Sequence, residues 1–270
     1  MPELPEVNTV RFGFEQTALQ LKIITVEVYD DKIIRNASQQ EFVDALQGET
    51  FIDTYRQGKY FFAILSSGLE ILFHLGMTGD LVYYFDSSEQ PKYERFRLQF
   101  ENSMYLGYDD LRKFSNILLI NDRQKYLSAI QLGPDALSIS LKDFSAIFKN
   151  RKKSLKAILM DQRLVAGVGN LYADEICYQA QLHPASVAGA LQKSHLQRVH
   201  RLMQNILNEA CEQDAYYKVY PDNWFWKWRD EKKGCIEGKG LIKKIKIGGR
   251  TTYFVEGYQK LIDYPTNYYR

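Results

Sequence analysis

The 270-residue sequence predicts an α+β protein: an N-terminal β-sandwich with flanking helices, then a C-terminal helical domain that ends in a β-hairpin. Three observations predict it. Short alternating runs ("KIITVEVY", "KYFFAIL", "LEILFHLG", "DLVYYF") succeed one another closely, separated by Ser-Ser-Gly and Thr-Gly-Asp turns. At "QLGPDALS" the apolar period changes to that of helices. Near the end, "LIKKIKIGGRTTYFVEGYQ" holds two alternating runs joined by Gly248-Gly249, a hairpin signal. The expected organisation is a sandwich domain over 1–133, a linker over 134–140, a helical domain over 141–215, and an aromatic loop with the hairpin over 216–270.

From Glu3 to Leu19, Val7, Val10, Phe14 and Ala18 recur at helical spacing, and Pro2 and Pro5 suit a helix entry, where their missing amide hydrogens cost nothing. "SQQEFVDALQ" is a helix among the strands, with Ser38 and Glu41 as its capping box. "RFRLQFEN", "SMYLGY" and "SNILLIN" continue the sheets. The helical part reads "SLKDFSAIFKN", "SLKAILMD", "NLYADEICYQA" and "SHLQRVHRLMQNILNEAC"; in the last, Leu196, Val199, Met203, Ile206, Leu207 and Ala210 form one core-facing stripe.

The net charge of +2 is unremarkable, but its distribution is not. Lys149, Arg151, Lys152, Lys153 and Lys156 cluster within eight residues, and Lys239, Lys243, Lys244, Lys246 and Arg250 form a second group; either is a solvated face or a nucleic-acid footprint. Three cysteines without a C-x-x-C pair, and no apolar leader, indicate a reduced, intracellular, cytoplasmic protein. No apolar run approaches the ~20 residues of a membrane span.

The start, "MPELPEV", admits two readings: a helix entry, or a working N-terminus. Removal of Met1 leaves Pro2 with a secondary amine, and an α-amino group, whose ordinary pKa is about 7.7–8.0, is partly unprotonated near neutrality. Such an amine can attack the anomeric carbon of a sugar and form an iminium. The iminium acidifies the C2′ hydrogen, and Glu3 can protonate the ring oxygen as the ring opens. "HLGMTG" and "DLRKFS" place Met77, Arg112 and Phe114 at strand junctions; together they supply a wedge and a base-pairing arginine for DNA with one base extruded. "LVAGVGNLYADE" puts Gly167, Gly169 and Asn170 at a helix start, suited to a phosphate. No strand precedes it and Tyr172 stands at the third glycine position, which argues against a dinucleotide fingerprint.

Taken in order, "MPELPEV", the lysine of "GKYFF", "HLGMTG", "DLRKFS", "LGPDAL", "LMDQRLVAGVGNLYADE", "LHP" and "GRTTYFVEGYQK" resemble the formamidopyrimidine-DNA glycosylases, helix-two-turn-helix enzymes related to endonuclease VIII, over nearly the whole chain. The resemblance implies a bifunctional DNA glycosylase/AP lyase, monomeric, acting on double-stranded DNA with a damaged base or abasic site. It implies Pro2 as the Schiff-base nucleophile, Glu3 as proton donor for base release, Glu6 as a residue fixing the lesion nucleoside and Lys59 in β-elimination. Met77, Arg112 and Phe114 match void-filling positions. Arg151, Lys156 and Asn170 match phosphate-contacting ones, Tyr93 and Arg95 stand where backbone-contacting histidines are usual, and Arg250 matches a finger arginine linked to δ-elimination.

Two departures stand out. The family's finger holds zinc with two C-x-x-C pairs; here the matching positions carry Cys235, Gly238, Val255 and Tyr258. One thiolate cannot build a four-ligand site, so no zinc or other cofactor is expected, and the hairpin is expected to rest on Ile242, Ile245, Ile247, Tyr253 and Val255. Between Gln213 and Cys235 a shortened, aromatic "DAYYKVYPDNWFWKWRD" replaces the usual lesion loop. Tyr216, Tyr217, Tyr220 and Trp224 are read as a stacking wall, and Trp226 and Trp228 as packing; the expectation is an altered lesion range, more open to pyrimidine or bulky purine damage. The alternatives are a non-enzymatic damage-binding protein on this fold, and an endonuclease VIII-like glycosylase.

Overall fold

Period-2 alternation sets the first half of the chain and period 3.6 the second, and a computed structural model of the protein, which describes residues 2–264, shows both. The first helix, α1 (Leu4–Thr17), leads into β1 (Ile23–Val28), α2 (Gln39–Leu46), β2 (Phe51–Gln57), β3 (Tyr60–Leu65), β4 (Glu70–His74), β5 (Gly79–Tyr84), β6 (Glu94–Phe100), β7 (Tyr105–Asp110), β8 (Asn116–Ile120) and α3 (Arg123–Ala129). The strands form two four-stranded antiparallel sheets, β1-β6-β7-β5 and β2-β3-β4-β8. Their inner faces bury one core that includes Phe14, Phe51, Phe61, Phe73, Phe96 and Tyr108. Helix α1 enters it through Phe14, edge-on to Phe51 and Phe61 at 4.9 and 5.3 Å. Ser38 and Glu41 make the expected capping box on α2.

Beyond it come α4 (Leu141–Phe148), α5 (Leu155–Met160), α6 (Asn170–Gln179), α7 (Lys193–Glu212), β9 (Cys235–Ile236), β10 (Gly240–Ile247) and β11 (Arg250–Glu256). The stripe expected on α7 is buried at all six positions. The chain divides between Ile130 and Gln131, not at 133. Residues 134–140, expected as a linker, pack into the second unit: the Ala136 amide donates to the Ala166 carbonyl (2.9 Å), Gln204 Nε2 donates to the Leu137 carbonyl (3.0 Å), and His200 Nε2 meets the Ile139 carbonyl (2.8 Å). Nor are the helices and the hairpin separate bodies. Tyr178 of α6, Phe225, Ile236, Ile242 and Val255 form one buried cluster.

Hairpin β10–β11 turns at Gly248-Gly249, whose φ angles of +55° and +75° require glycine-like freedom. Ile242 and Val255 pair directly across it and are buried. Ile245 and Ile247 are only half-buried, so apolar support covers the base of the hairpin more than its tip.

Candidate active site and nucleic-acid interface

Pro2 lies just before α1, and Glu3 is its N-cap. The Glu3 backbone amide donates to Glu6 Oε2 at 2.8 Å, so Glu6 fixes the backbone next to the proline. The Glu3 side chain is buried. Lys59 occupies, with Gly58, the two-residue turn that joins β2 to β3; Gly58 has φ +58°, and its carbonyl accepts from Arg56 Nη1 at 3.0 Å. Pro2, Lys59, Val7, His74, Leu75 and Gly76 line one narrow cavity of about 10 Å³, room for a single water. The proline and the lysine, 57 positions apart, thus share a site. Met1, whose removal a proline nucleophile requires, lies outside the described residues.

His74 is a site residue that the motif "HLGMTG" does not flag as one. Its Nδ1 is buried without a hydrogen-bond partner among the described residues. Burial, and then the Lys59 charge, hold its pKa below the ordinary histidine range, so it enters the cavity as a neutral imidazole.

The three expected wedge residues sit on two neighbouring turns of the same unit, β4–β5 and β7–β8. Phe114 and Arg112 are exposed, with the guanidinium 4.8 Å from the ring centroid. Met77 is half-buried. One fully buried carboxylate binds the two turns together: Asp110 accepts from Thr78 Oγ1 (2.5 Å) and from the amides of Arg112 (3.1 Å) and Ser115 (3.1 Å). Burial alone raises a carboxyl pKa, yet these donors hold Asp110 below its ordinary value. Gly76 permits the close approach, since a Cβ there would lie 2.4 Å from the Phe114 carbonyl.

Arg95 does not serve as a free phosphate contact. Its side chain is mostly buried; Nε donates to the Asp110 carbonyl (2.8 Å) and Nη1 faces Asp30 (3.5 Å). Tyr93 is half-buried, with its amide on Asp109 Oδ1 (2.8 Å).

In the second unit, Asn170 begins α6 after the N-cap Gly169. Lys156 is a correction: its side chain is fully buried, and Nζ donates to Asn170 Oδ1 (2.7 Å), Asp174 Oδ1 (2.6 Å) and Thr252 Oγ1 (2.8 Å). All three ammonium hydrogens are used, so Lys156 positions Asn170 instead of meeting a phosphate itself. Asp174 also accepts from Arg229 Nε (3.0 Å) and the Tyr253 amide (3.3 Å). Burial pushes the Lys156 ammonium down and the Asp174 carboxyl up, and their attraction opposes both shifts. Arg151, half-buried, donates Nε to the Ile147 carbonyl (2.6 Å). Arg250 is exposed at the start of β11, beside the turn.

The aromatic segment is mostly interior. Tyr220 and Trp224 are 5% and 3% exposed, so neither offers a face on which a base can stack. Only Tyr216 and Tyr217 of the expected wall are exposed. Buried Glu175 pins the next stretch of chain: it accepts from the amides of Phe225 (2.7 Å) and Trp226 (3.0 Å) and from Gln179 Nε2 (2.8 Å), and burial pushes its pKa up to about 7. The signal for Asp174 and Glu175 is present in "NLYADEICYQ": every residue from Tyr172 to Tyr178 is buried, and charges inside such a helix demand partners. Of the four finger positions that hold zinc in the family, Cys235 is exposed, Gly238 has no side-chain donor, Val255 is buried in the apolar cluster and Tyr258 packs on Tyr178 (5.2 Å). That donor set does not fit a tetrahedral metal.

Residues 1–117 match the formamidopyrimidine-DNA glycosylase N-terminal domain and residues 132–219 the formamidopyrimidine-DNA glycosylase H2TH domain. A formamidopyrimidine-DNA glycosylase of Arabidopsis thaliana is 33% identical over 279 residues, covering 97% of this chain and 71% of that protein. One from Streptococcus mutans is 34% identical over 276 residues, covering 96% and 100%. Among solved structures, the Lactococcus lactis enzyme bound to DNA containing an AP site superposes with a TM-score of 0.86 at 28% identity, covering 96% of this chain and 99% of that one. MutM in complex with DNA containing carbocyclic 8-oxo-G gives 0.85 at 27%, covering 96% and 100%. The chain belongs to the formamidopyrimidine-DNA glycosylase family.

Proposed function

We infer that the protein is a bifunctional DNA glycosylase/AP lyase of base excision repair, acting on double-stranded DNA that carries a damaged base or an abasic site. The observation that carries this reading is the shared cavity of Pro2 and Lys59, with buried Glu3 next to the proline. In the reaction, the free Pro2 nitrogen attacks C1′ and the damaged base leaves with a proton, for which Glu3 is the donor. The C1′–O4′ bond then breaks as the ring oxygen takes a proton, which leaves a C1′=N iminium; loss of the C2′ proton expels the 3′ phosphate, and a second elimination expels the 5′ phosphate. Lys59 serves the β-elimination and Arg250 the δ-elimination. Met77, Arg112 and Phe114 fill the place of the extruded nucleotide and meet its orphaned partner. Asn170, held by Lys156, and Arg151 are the phosphate contacts of the second unit.

The finger works without zinc: its base is closed by Ile242, Val255 and Phe225, and by the Lys156–Asp174–Arg229 charges, in place of four metal ligands. Stoichiometric zinc in purified protein would refute this. Lesion choice shifts away from 8-oxoguanine and opens to pyrimidine and bulky purine damage. The support for this is the buried state of Tyr220 and Trp224 and the pinning of Phe225 and Trp226, which leave a fixed segment in place of a long closing loop. The protein acts as a monomer in the reduced cytoplasm; its three cysteines are unbridged, and no helix among the described residues is long and apolar enough to cross a membrane.

Borohydride trapping over a panel of lesion-bearing and abasic duplexes tests the reading. A covalent protein–DNA adduct with wild type and none with Pro2→Gly is expected. No adduct with wild type on any duplex would leave only a damage-binding protein. A strong 8-oxoguanine preference would sink the lesion shift alone.

A further inference from the structure

The turn that carries Arg112 and Phe114 has Lys113 between them, in the left-handed region at φ +56°. A non-glycine side chain held there needs a restraint. Lys113 does not project with its neighbours: its Nζ forms an ion pair with Asp30, a residue 83 positions earlier in the chain, just after β1. Asp30 is itself fixed. Its amide and that of Tyr29 donate to the Arg95 carbonyl (3.0 and 2.8 Å), and its Oδ1 caps the adjoining short helix through the Lys32 amide (3.2 Å). Its Oδ2 faces both Lys113 and Arg95 Nη1, and Arg95 Nε closes the circuit on the Asp110 carbonyl, at the root of the same turn. The Asp30 and Arg95 side chains are 16% and 13% exposed, so this pair is screened less than a surface ion pair.

We propose that Asp30 is a positioning residue for the DNA wedge: by holding Lys113 and Arg95 it keeps the β7–β8 turn in the conformation that presents Arg112 and Phe114. The inference rests on the wedge role proposed for those two residues. Asp30 has no contact with the Pro2 cavity, whose lining is Pro2, Val7, Lys59, His74, Leu75 and Gly76. The turn it holds touches that lining at Gly76, behind Phe114, so its main effect falls on opening the duplex. The Asp110 carboxylate secures the root of the turn, and Asp30 secures its tip from the other side.

Base release from a formamidopyrimidine duplex requires the wedge, whereas borohydride trapping on an abasic single strand has no stack to open. Asp30→Asn is expected to slow single-turnover excision from the duplex about tenfold, short of the roughly hundredfold that a 1 Å misplacement of a reacting group can cost. Trapping on the single strand stays within about twofold of wild type, the readout that a general structural loss would not spare. Lys113→Met removes one of the two groups that Asp30 holds and gives a selective loss no larger than that of Asp30→Asn, and the double variant is no worse than Asp30→Asn alone. Equal losses on both substrates, no loss on the duplex, or additive losses in the double variant would each overturn the proposal. If wild type traps on neither substrate, the enzymatic reading fails instead, so the two failures are distinguishable.

Discussion

Arg112 and Arg250 are both exposed arginines beside tight turns, one in each unit, and the chain fixes the two turns by different means. The turn of Arg112 is held at root and tip by carboxylates: Asp110 takes two of its amides, and Asp30 takes the side chain between Arg112 and Phe114. The turn of Arg250 is held through its strands instead. Its hairpin is secured at the base by Ile242, Val255 and Phe225, and two and three residues past Arg250 by Lys156 and Asp174, which reach Thr252 and Tyr253. Ile245 and Ile247 give partial cover, and the two glycines of the turn are exposed. A wedge that must part a stack has to be stiff where it touches.

Four substitutions probe that contrast, in order of expected effect. Asp174→Asn leaves Lys156 buried and unpaired, and is expected to destabilise the second unit by roughly 3–5 kcal/mol, because breaking one side of a buried pair strands the other charge. Chemical denaturation monitored by tryptophan fluorescence reads this directly, since all three tryptophans lie in that unit. A loss below about 1 kcal/mol would mean that the charge cluster does not hold the hairpin's base.

Glu175→Gln comes next and acts through pH. The folded carboxyl has its pKa raised to about 7 from 4.5, so the folded protein binds the extra proton between those values. Its contribution is fully present below pH ~4.5 and is lost as pH rises through 7, a change on the order of 2–3 kcal/mol. Wild type should therefore lose stability between pH 5 and 8 by that much more than the glutamine variant. Parallel pH profiles would mean that Glu175 does not hold a proton in the folded state.

Asp110→Asn turns a pure acceptor into a group with its own N–H donors, facing amides that need acceptors. About 2 kcal/mol of the first unit's stability should go with it, and with that the presentation of Arg112. Unchanged melting together with unchanged duplex excision would show that the β7–β8 turn does not depend on this carboxylate. Arg250→Ala should change stability least, within about 0.5 kcal/mol, because its side chain is exposed. It should instead shift the products from β,δ-elimination toward β-elimination alone, and a full yield of δ product would remove Arg250 from that step.

Fold class and the hairpin are legible in the sequence because each rests on a local signal, alternation for the one and a Gly-Gly turn for the other, whereas Pro2 and Lys59 are linked there only through the family resemblance. Lys156 and Arg95 are misread from sequence for one shared physical reason. A basic residue in a sequence does not announce whether its charge meets solvent or a distant acid. The partners are Asp174, 18 positions away, and Asp30, 65 positions away. Tyr220 and Trp224 show the matching limit for aromatics, since a stacking wall and a core use the same rings, and only burial separates them. The boundary at 130/131 escapes a reading by composition because 134–140 looks like a connector, yet bonds through its backbone to α7 and to Ala166.

The central claim is that the amine of Pro2 is the nucleophile, and peptide mapping of the borohydride-trapped adduct tests it most directly. The sugar remnant is expected on the N-terminal peptide, at the nitrogen of Pro2, in a chain that has lost Met1. An adduct carried by Lys59, or by a chain that retains Met1, would contradict it.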